Sequence, residues 1–316
     1  MGGTRIERQQ SGSNSGRDSR SNGEAGKLFV PEKSTLYDPR KERVLYWENA
    51  PEGIHRYPAG ETTDSQGNTY DYSAGQRLWI DDEKEVMDSC QKPWVIETVD
   101  RAFTALDDKG PSKQNVEVLE RGFGLGQVAS EIMDKLRPRG GTYTVIELNK
   151  KNANYAQTTW TNKQNVIDKA RVTSARGVRY DKDNPNVYIN IIQGDAIEKT
   201  KELALAGSKF DIIISDTFPL LEEEKSINDL LDLAILVECL KPNGVFAFFG
   251  YHFGFQGGMN ERQRNLVEAY FEDVSRTVVK GINPPPDYKY FNPENGPTVR
   301  ELPVIICTKP RIQAAA

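Results

Sequence analysis

The sequence predicts an α/β protein: a Rossmann-like, doubly wound, seven-stranded sheet with an antiparallel edge hairpin and an N-terminal helical cap. Three observations carry that expectation. From residue 116 onward, short apolar runs alternate with helix-length segments, the order that builds parallel strands covered on both faces. The first run, "VEVLE", leads straight into "RGFGLGQ", where glycines recur at Gly122, Gly124 and Gly126. Two apolar runs close the chain with no helical pattern between them, which suggests a hairpin.

Taken in order, residues 1–27 contain one Ile, no aromatic residue, five basic and three acidic residues. Such a stretch cannot bury enough apolar surface to offset its ordering entropy, so it is expected to be a disordered tail. Residues 28–110 are expected to form the cap, with "YWENAPEGIHRYPAG" and "YDYSAGQRLWI" as apolar centres. Over residues 82–108, Val86, Met87, Val95, Ile96, Val99, Phe103 and Leu106 recur at mostly helical spacing, and Pro93 starts a second helix or kinks the first.

Residues 111–316 hold the regular alternation. Strands are expected at "VEVLE", "TYTVIEL", "VYINIIQGD", "KFDIIISD" and "GVFAFFGY". Helices are expected over 127–136, 149–162, 196–207, 227–240 and 263–277, and the closing strands at "YKYF" and "LPVIICTK".

Composition narrows the function. The formal net charge of -5 argues against a nucleic-acid partner. No apolar run approaches the roughly 18 residues that span a membrane, and the N-terminus shows no apolar signal-peptide core. Cys90, Cys239 and Cys307 are odd in number and far apart, as in a reduced cytoplasmic protein. With His55 and His252 the only histidines, no multi-histidine metal centre is expected. A homodimer is left open.

The glycine turn follows the first strand of the regular region, where a doubly wound sheet opens its ligand crevice. Glycines there allow unusual dihedrals and let a ligand approach the main chain. Three acids end successive expected strands: Glu120 before the glycines, Glu147 at 21 residues beyond Gly126, and Asp195 in "QGDA" beside Ala196. Glu147 stands where an acid meets ribose hydroxyls, and Asp195 where a carboxylate accepts from an exocyclic amine. "GLGQVA" also satisfies a permissive dinucleotide pattern. Against that reading, Glu120 would repel a pyrophosphate but attract a sulfonium and an amino group. These features favour S-adenosylmethionine as the cofactor, held by Glu120, Gly122, Phe123, Gly124, Gly126, Glu147, Asp195 and Ala196.

With these residues quoted, the chain resembles the class I S-adenosylmethionine-dependent methyltransferases. Within them it is most similar to the guanidinoacetate N-methyltransferase family over roughly residues 45–310. That family's "VMERWETPY" is matched by "VMDSCQKPW", "LEVGFG" by "LERGFG", "IIEC" by "VIEL", "YDTYPLSEE" by "SDTFPLLEE" and "LLKPGGV" by "CLKPNGV". "YWENAP" resembles its N-terminal tryptophan segment, and "LPVIICTK" its last strand.

Methyl transfer from a sulfonium is an in-line displacement that needs a free lone pair held about 3–3.5 Å from the methyl carbon. A guanidinium lacks one, so carboxylates must localise its charge or take a proton. The resemblance gives that task to Asp216 and to the position of Gln91, where the family has a glutamate. A glutamine neither takes a proton nor balances a cation. Unless Asp88 or one of Glu222, Glu223 and Glu224 replaces the lost acid, the acceptor is altered. Trp47, Trp94, Phe218, Tyr251 and Phe253 would give it aromatic walls, with Thr217 and His252 also at the pocket. Trp47 and Trp94 are equally suited to a plain core.

The expected activity is N-methylation of a small molecule without a metal. C- or O-methylation of an aromatic metabolite, methylation of protein arginine, and a non-catalytic cofactor-binding protein remain as alternatives.

Overall fold

The computed structural model describes residues 54–63, 69–80, 84–108, 112–161, 166–167, 178–181, 186–217, 230, 232–249, 259–283 and 301–311. All of them fall in the compact unit Trp47–Ala316. The expected tail and Trp47, Phe218, Glu222, Glu223, Glu224, Tyr251, His252 and Phe253 lie outside the described residues.

The first described stretch corrects the expected helical cap. It forms five short strands: β1 (Ile54–Tyr57), β2 (Gly60–Thr63), β3 (Thr69–Tyr72), β4 (Gly75–Ile80) and β5 (Lys84–Asp88). β4 pairs antiparallel with both β1 and β5, while β2 and β3 make a separate hairpin. Val86 and Met87 suit a helical stripe as well as a strand; the ladder that sets Met87 against Leu78 decides for the strand.

Helix α1 (Lys92–Asp107) follows a single 3-10 turn, with Pro93 in its first turn, where a missing N–H costs nothing. Asp88 closes a capping box ahead of it. Its carboxylate accepts from the Cys90 N–H at 2.7 Å, and the Gln91 side-chain oxygen accepts from the Asp88 N–H at 3.2 Å. α1 buries Trp94, Val95, Thr98, Val99, Ala102, Phe103 and Leu106 against the main sheet and α2.

That sheet takes β6 (Val116–Arg121), β7 (Gly141–Glu147), β10 (Val187–Gln193), β11 (Phe210–Ser215), β12 (Leu240–Phe249), β13 (Phe271–Lys280) and β14 (Glu301–Pro310). Their spatial order is β13-β14-β12-β11-β6-β7-β10, and the short strands β9 (Val178–Asp181) and β8 (Val166–Ile167) extend it beyond β10. The five strands from β12 to β10 run parallel; β14 is antiparallel to both β12 and β13. The chain's last described strand thus sits inside the sheet, and β13 forms the edge.

Helices α2 (Gln127–Leu136), α3 (Lys150–Tyr155), α4 (Ala196–Leu205), α5 (Leu233–Cys239) and α6 (Glu261–Tyr270) complete the layers. Two expectations are corrected here. The last helix stops at Tyr270, because Val274, Thr277, Val278 and Val279 are β-branched and pair along β14. β12 starts at Leu240, opposite Phe210, and its pairing resumes only at Val245 with Ile212, so the "KPNG" stretch is a bulge within the strand. The expected strand "YKYF" lies outside the described residues.

Two apolar layers flank the sheet. Leu119, Ile213, Phe246, Leu203, Leu233 and Leu236 fill one face. Phe123, Tyr143 and Trp160 pack ring to ring in another buried group, within 6 Å of one another in the pairs Phe123–Trp160 and Tyr143–Trp160. β6 has β7 on one side and β11 on the other, so the chain reverses direction across the sheet there. The crevice at the carboxyl ends of β6 and β11 is the place such folds reserve for a ligand.

Candidate functional site

The ladders bring four strand ends into line: Arg121 pairs with Ile146 and Ser215, and Glu147 with Gln193. The glycine turn, Asp195 and Asp216 all leave the sheet from this edge. Positive φ values at Gly122 (90°), Gly124 (49°) and Gly126 (70°) explain the glycines. A Cβ at Gly122 would also lie 2.2 Å from the Asp216 carbonyl oxygen, so the two loops touch backbone to backbone. The Asp216 N–H donates to the Arg121 carbonyl at 2.9 Å and fixes that approach.

Every backbone N–H of the turn is already used. Gly122 donates to the Ile146 carbonyl at 2.8 Å, and Gly126 to Phe123 at 2.7 Å. Phe123 and Gly124 donate to one carboxylate oxygen of Glu147 at 2.9 and 3.4 Å. Leu125 donates to the Met87 sulfur at 3.2 Å. A phosphate cradle needs such donors free, and residues 122–126 have none to offer.

The acceptors at its two ends tell the opposite story. Glu120 is fully buried; the Tyr143 hydroxyl donates to one of its oxygens, and the other, Oε1, has no hydrogen-bond partner among the described residues. Gln127, the first residue of α2, donates to the Asp88 carbonyl at 3.3 Å and holds its own buried Oε1 without a described partner. Burial pushes the Glu120 carboxyl well above the usual range, the Tyr143 bond opposes it, and the charges of Asp216 and Glu147 add to it. Groups arranged this way wait for a donor or a cation.

The other expected cofactor residues have structural tasks as well. The second oxygen of Glu147 accepts from the Asn149 N–H at 2.7 Å, and burial raises this carboxyl too. Asp195 caps α4 through the Glu198 N–H at 2.9 Å, with Ala196 buried behind it. Beside Glu147, Leu148 is 42 % exposed, one of three large apolar side chains that stand out in this way among the described residues. It provides an apolar surface beside Glu147, across the strand ends from Gln193, whose amide donates to its carbonyl at 3.3 Å.

Of the expected acceptor residues, Gln91, Trp94, Asp216 and Thr217 are among the described residues. Asp216 and Thr217 follow β11 at the crevice, half-buried, with the Thr217 hydroxyl 3.5 Å from that of Ser215. Gln91 lies three residues beyond Asp88, whose carbonyl accepts from the Gln127 amide at the start of α2. Asp88 does not replace the acid lost at Gln91. It is buried and bound to Arg77 at 2.9 Å and to the Tyr57 hydroxyl at 2.6 Å. Trp94 is core: its indole N–H donates to the Pro303 carbonyl at 2.8 Å, and its ring meets the Phe249 ring edge-on at 4.3 Å.

Residues not expected from the sequence also shape the site. Met87 and Gln127 close on the turn, Tyr143 holds Glu120, and Arg121 forms a buried ion pair with Asp232 at 2.6 Å. A tyrosine and an arginine inside otherwise apolar strands were the available signals. Among the described residues no three His, Cys, Asp or Glu side chains are placed to hold a metal ion, and no helix is long and apolar enough to cross a membrane.

No family model and no curated protein matches the chain. Solved structures do. Spermidine synthase from Thermotoga maritima is similar at a TM-score of 0.50 and 12% identity, over 80% of this chain and 72% of that one. A spermidine synthase in complex with the transition state analogue AdoDATO is similar at 0.50 and 14%, over 80% and 73%. Human methyltransferase-like protein 13 in complex with SAH gives 0.42 and 14%, over 72% and 84%. At such identities the spermidine synthases share the fold with this chain. The finer resemblance, to guanidinoacetate N-methyltransferase, has no counterpart among these three.

Proposed function

We propose that the chain is an S-adenosylmethionine-dependent methyltransferase acting on a nitrogen of a small molecule. One observation carries the reading: the glycine turn has spent its N–H donors, while buried Glu120 and Gln127 at its ends each keep an acceptor oxygen without a partner among the described residues. That polarity suits an amino group and a sulfonium and rejects a phosphate. Glu147 and the exposed Leu148 offer a ribose partner and an apolar base surface, and Asp195 a partner for an exocyclic amine.

When bound, S-adenosylmethionine supplies a methyl group on a positively charged sulfur. An acceptor nitrogen would take that methyl group with its lone pair, the carbon–sulfur electrons would stay on sulfur, and one proton would have to be removed from the nitrogen. Asp216, at the end of β11, orients the acceptor and takes that proton. The oxygen of Gln91 is held by the Asp88 N–H, so what this amide has left to offer an acceptor is its N–H2 donor. The acceptor therefore presents a lone pair or a carbonyl there, and a guanidinium does not fit.

A second reading is transfer of an aminopropyl group. The spermidine synthase likeness supports it, and so does charge. Glu120, Glu147, Asp195 and Asp216 surround the strand ends, and Arg121, the cation beside them among the described residues, is paired with Asp232. A donor without a carboxylate is at ease in such a site.

Calorimetric titration of the full chain separates these readings. S-adenosylhomocysteine is expected to bind in the micromolar range and NADH not at all; the reverse result sinks the proposal. Tighter binding of decarboxylated S-adenosylmethionine than of S-adenosylmethionine selects the second reading. Asp216→Asn is expected to keep nucleoside affinity and lose turnover.

A further inference from the structure

The long open edge of the main sheet is β13. It ends the strand order on one side, and among the described residues no strand pairs with its outer side; the opposite edge is the two-residue β8. An exposed edge is a template for another strand, and proteins blunt it with bulges, prolines, short strands or charge. β13 is ten residues long, contains no proline, and keeps one register along β14 from Asp273–Thr308 to Lys280–Glu301, without a bulge. Charge alone is left to protect it, and the order of its charges decides which strand it can accept.

Two identical strands that pair about a twofold axis run antiparallel. The residues they oppose turn their N–H and C=O groups to the same side, and that side alternates along a strand, so the axis passes through a residue and not between two. Among axes through residues 272–280, only those at Val274 and Arg276 bring opposite charges face to face. The axis at Arg276 also sets that guanidinium against its own copy, which is destabilising. The axis at Val274 opposes Val274 to the partner's Val274, and Glu272 to the partner's Arg276 on both sides of the axis. Glu272 and Arg276 are exposed and available for such contacts. Arg276 makes no ion pair among the described residues, and Lys309, the cation near Glu272, gives its ammonium to Asp273 at 2.7 Å.

We propose that β13 is a self-pairing strand: two copies of the chain join their sheets edge to edge, antiparallel, about an axis through Val274. The strands β14, β12 and β11 stand between β13 and β6, which leads into the glycine turn, so each copy keeps its own crevice and the inference is independent of the proposed function.

Sedimentation velocity of the full chain over a range of concentrations tests it. Wild type is expected to form a dimer of twice the 35.5 kDa of one chain, with dissociation in the micromolar range. Glu272→Arg and Arg276→Glu each place like charges together twice across the axis, and each is expected to weaken the dimer ~10-fold or more. The double variant Glu272→Arg/Arg276→Glu restores opposite charges at both contacts and is expected to dimerise within a factor of about three of wild type. A dimer built on another surface, or variants that merely fold poorly, would not show that recovery. A wild type that stays monomeric at ~100 µM, a dimer indifferent to the single substitutions, or a double variant no better than the singles overturns the inference.

Discussion

The carboxylate of Glu147 accepts the backbone N–H of Phe123 at 2.9 Å, so the acid that ends the second parallel strand holds the glycine turn that follows the first. Its two oxygens together receive N–H groups from Phe123, Gly124 and Asn149. Glu147→Gln must therefore point an N–H2 at a backbone N–H, whichever way the amide is turned. The variant is expected to lose about 1–3 kcal/mol of stability and to bind S-adenosylhomocysteine more weakly. Thermal denaturation and calorimetry read the two effects; an unchanged melting temperature would remove Glu147 from the turn's support.

Glu120 predicts a pH dependence of definite sign. Burial first, and the charges of Asp216 and Glu147 after the opposing Tyr143 bond, raise its pKa above the unfolded value near 4.5. The folded protein then holds a proton that the unfolded chain releases. Its stabilising contribution is complete below the unfolded pKa and is lost as pH rises through the folded one. Glu120→Gln keeps the side chain neutral at every pH, so its stability is expected to fall less than that of wild type as pH rises above 4.5. Urea denaturation across about pH 5–9 measures the slopes, and parallel curves would refute the assignment.

Gly122 ties the glycine turn to the loop that carries Asp216. Its φ of 90°, and the Asp216 carbonyl oxygen 2.2 Å from where a Cβ would stand, leave no room for a methyl group. Gly122→Ala is expected to cost about 1–3 kcal/mol in backbone strain alone and to displace Asp216, removing turnover. Gly207, at φ 73° with nothing within 4 Å, is the control. Its alanine variant carries the strain without the collision and should keep activity. Equal losses in the two variants would mean that the contact with Asp216 is irrelevant.

The parallel half of the fold was legible because its signals are local. β6, β7, β10 and β11 and α2 through α4 follow apolar runs, glycines and caps that lie within each segment, whereas the short antiparallel strands β8 and β9 were not expected; Gly126, Asn149 and Asp195 stand at the helix starts where expected. The misreadings came where a distant partner decides. β5 is a strand because Met87 opposes Leu78, and β13 because it pairs along β14, some thirty residues later in the chain. The site divided in the same way. Glu120, Glu147, Asp195 and Asp216 could be placed from strand ends alone. That one oxygen of Glu147 is taken by the glycine turn, that Asp88 belongs to Arg77 and that Arg121 meets Asp232 depend on contacts between strands and loops far apart in the chain, which no local spacing encodes.

Trp94 shows how a core position imitates a pocket wall. Its indole N–H is bound by the Pro303 carbonyl and its ring lies against Phe249, so the side chain joins α1 to β14 and β12. Trp94→Phe removes the bond to that carbonyl and removes volume. It is expected to destabilise the protein by about 1–3 kcal/mol while nucleoside and acceptor affinities stay within a factor of two or so at temperatures where the variant is folded. A selective loss of acceptor binding with unchanged stability would return Trp94 to the acceptor pocket.

Gln91→Glu restores the acid that the resembling family carries at this position. The side-chain oxygen bound to the Asp88 N–H survives the change, so the capping box and the start of α1 are preserved. What changes is the group left over, from an N–H2 donor to a carboxylate oxygen. Beside the buried and already ion-paired Asp88 the new charge is unwelcome, and a melting temperature lower by a few degrees is expected, the effect of about 1 kcal/mol in a domain of this size. In exchange the variant gains the charge that a guanidinium requires. Calorimetry in the presence of S-adenosylhomocysteine is expected to show guanidinoacetate binding to Gln91→Glu and none to wild type. Binding to wild type as tight as to the variant would show that the acceptor site never depended on the residue at 91, and that another carboxylate near Asp216 recognises the cation.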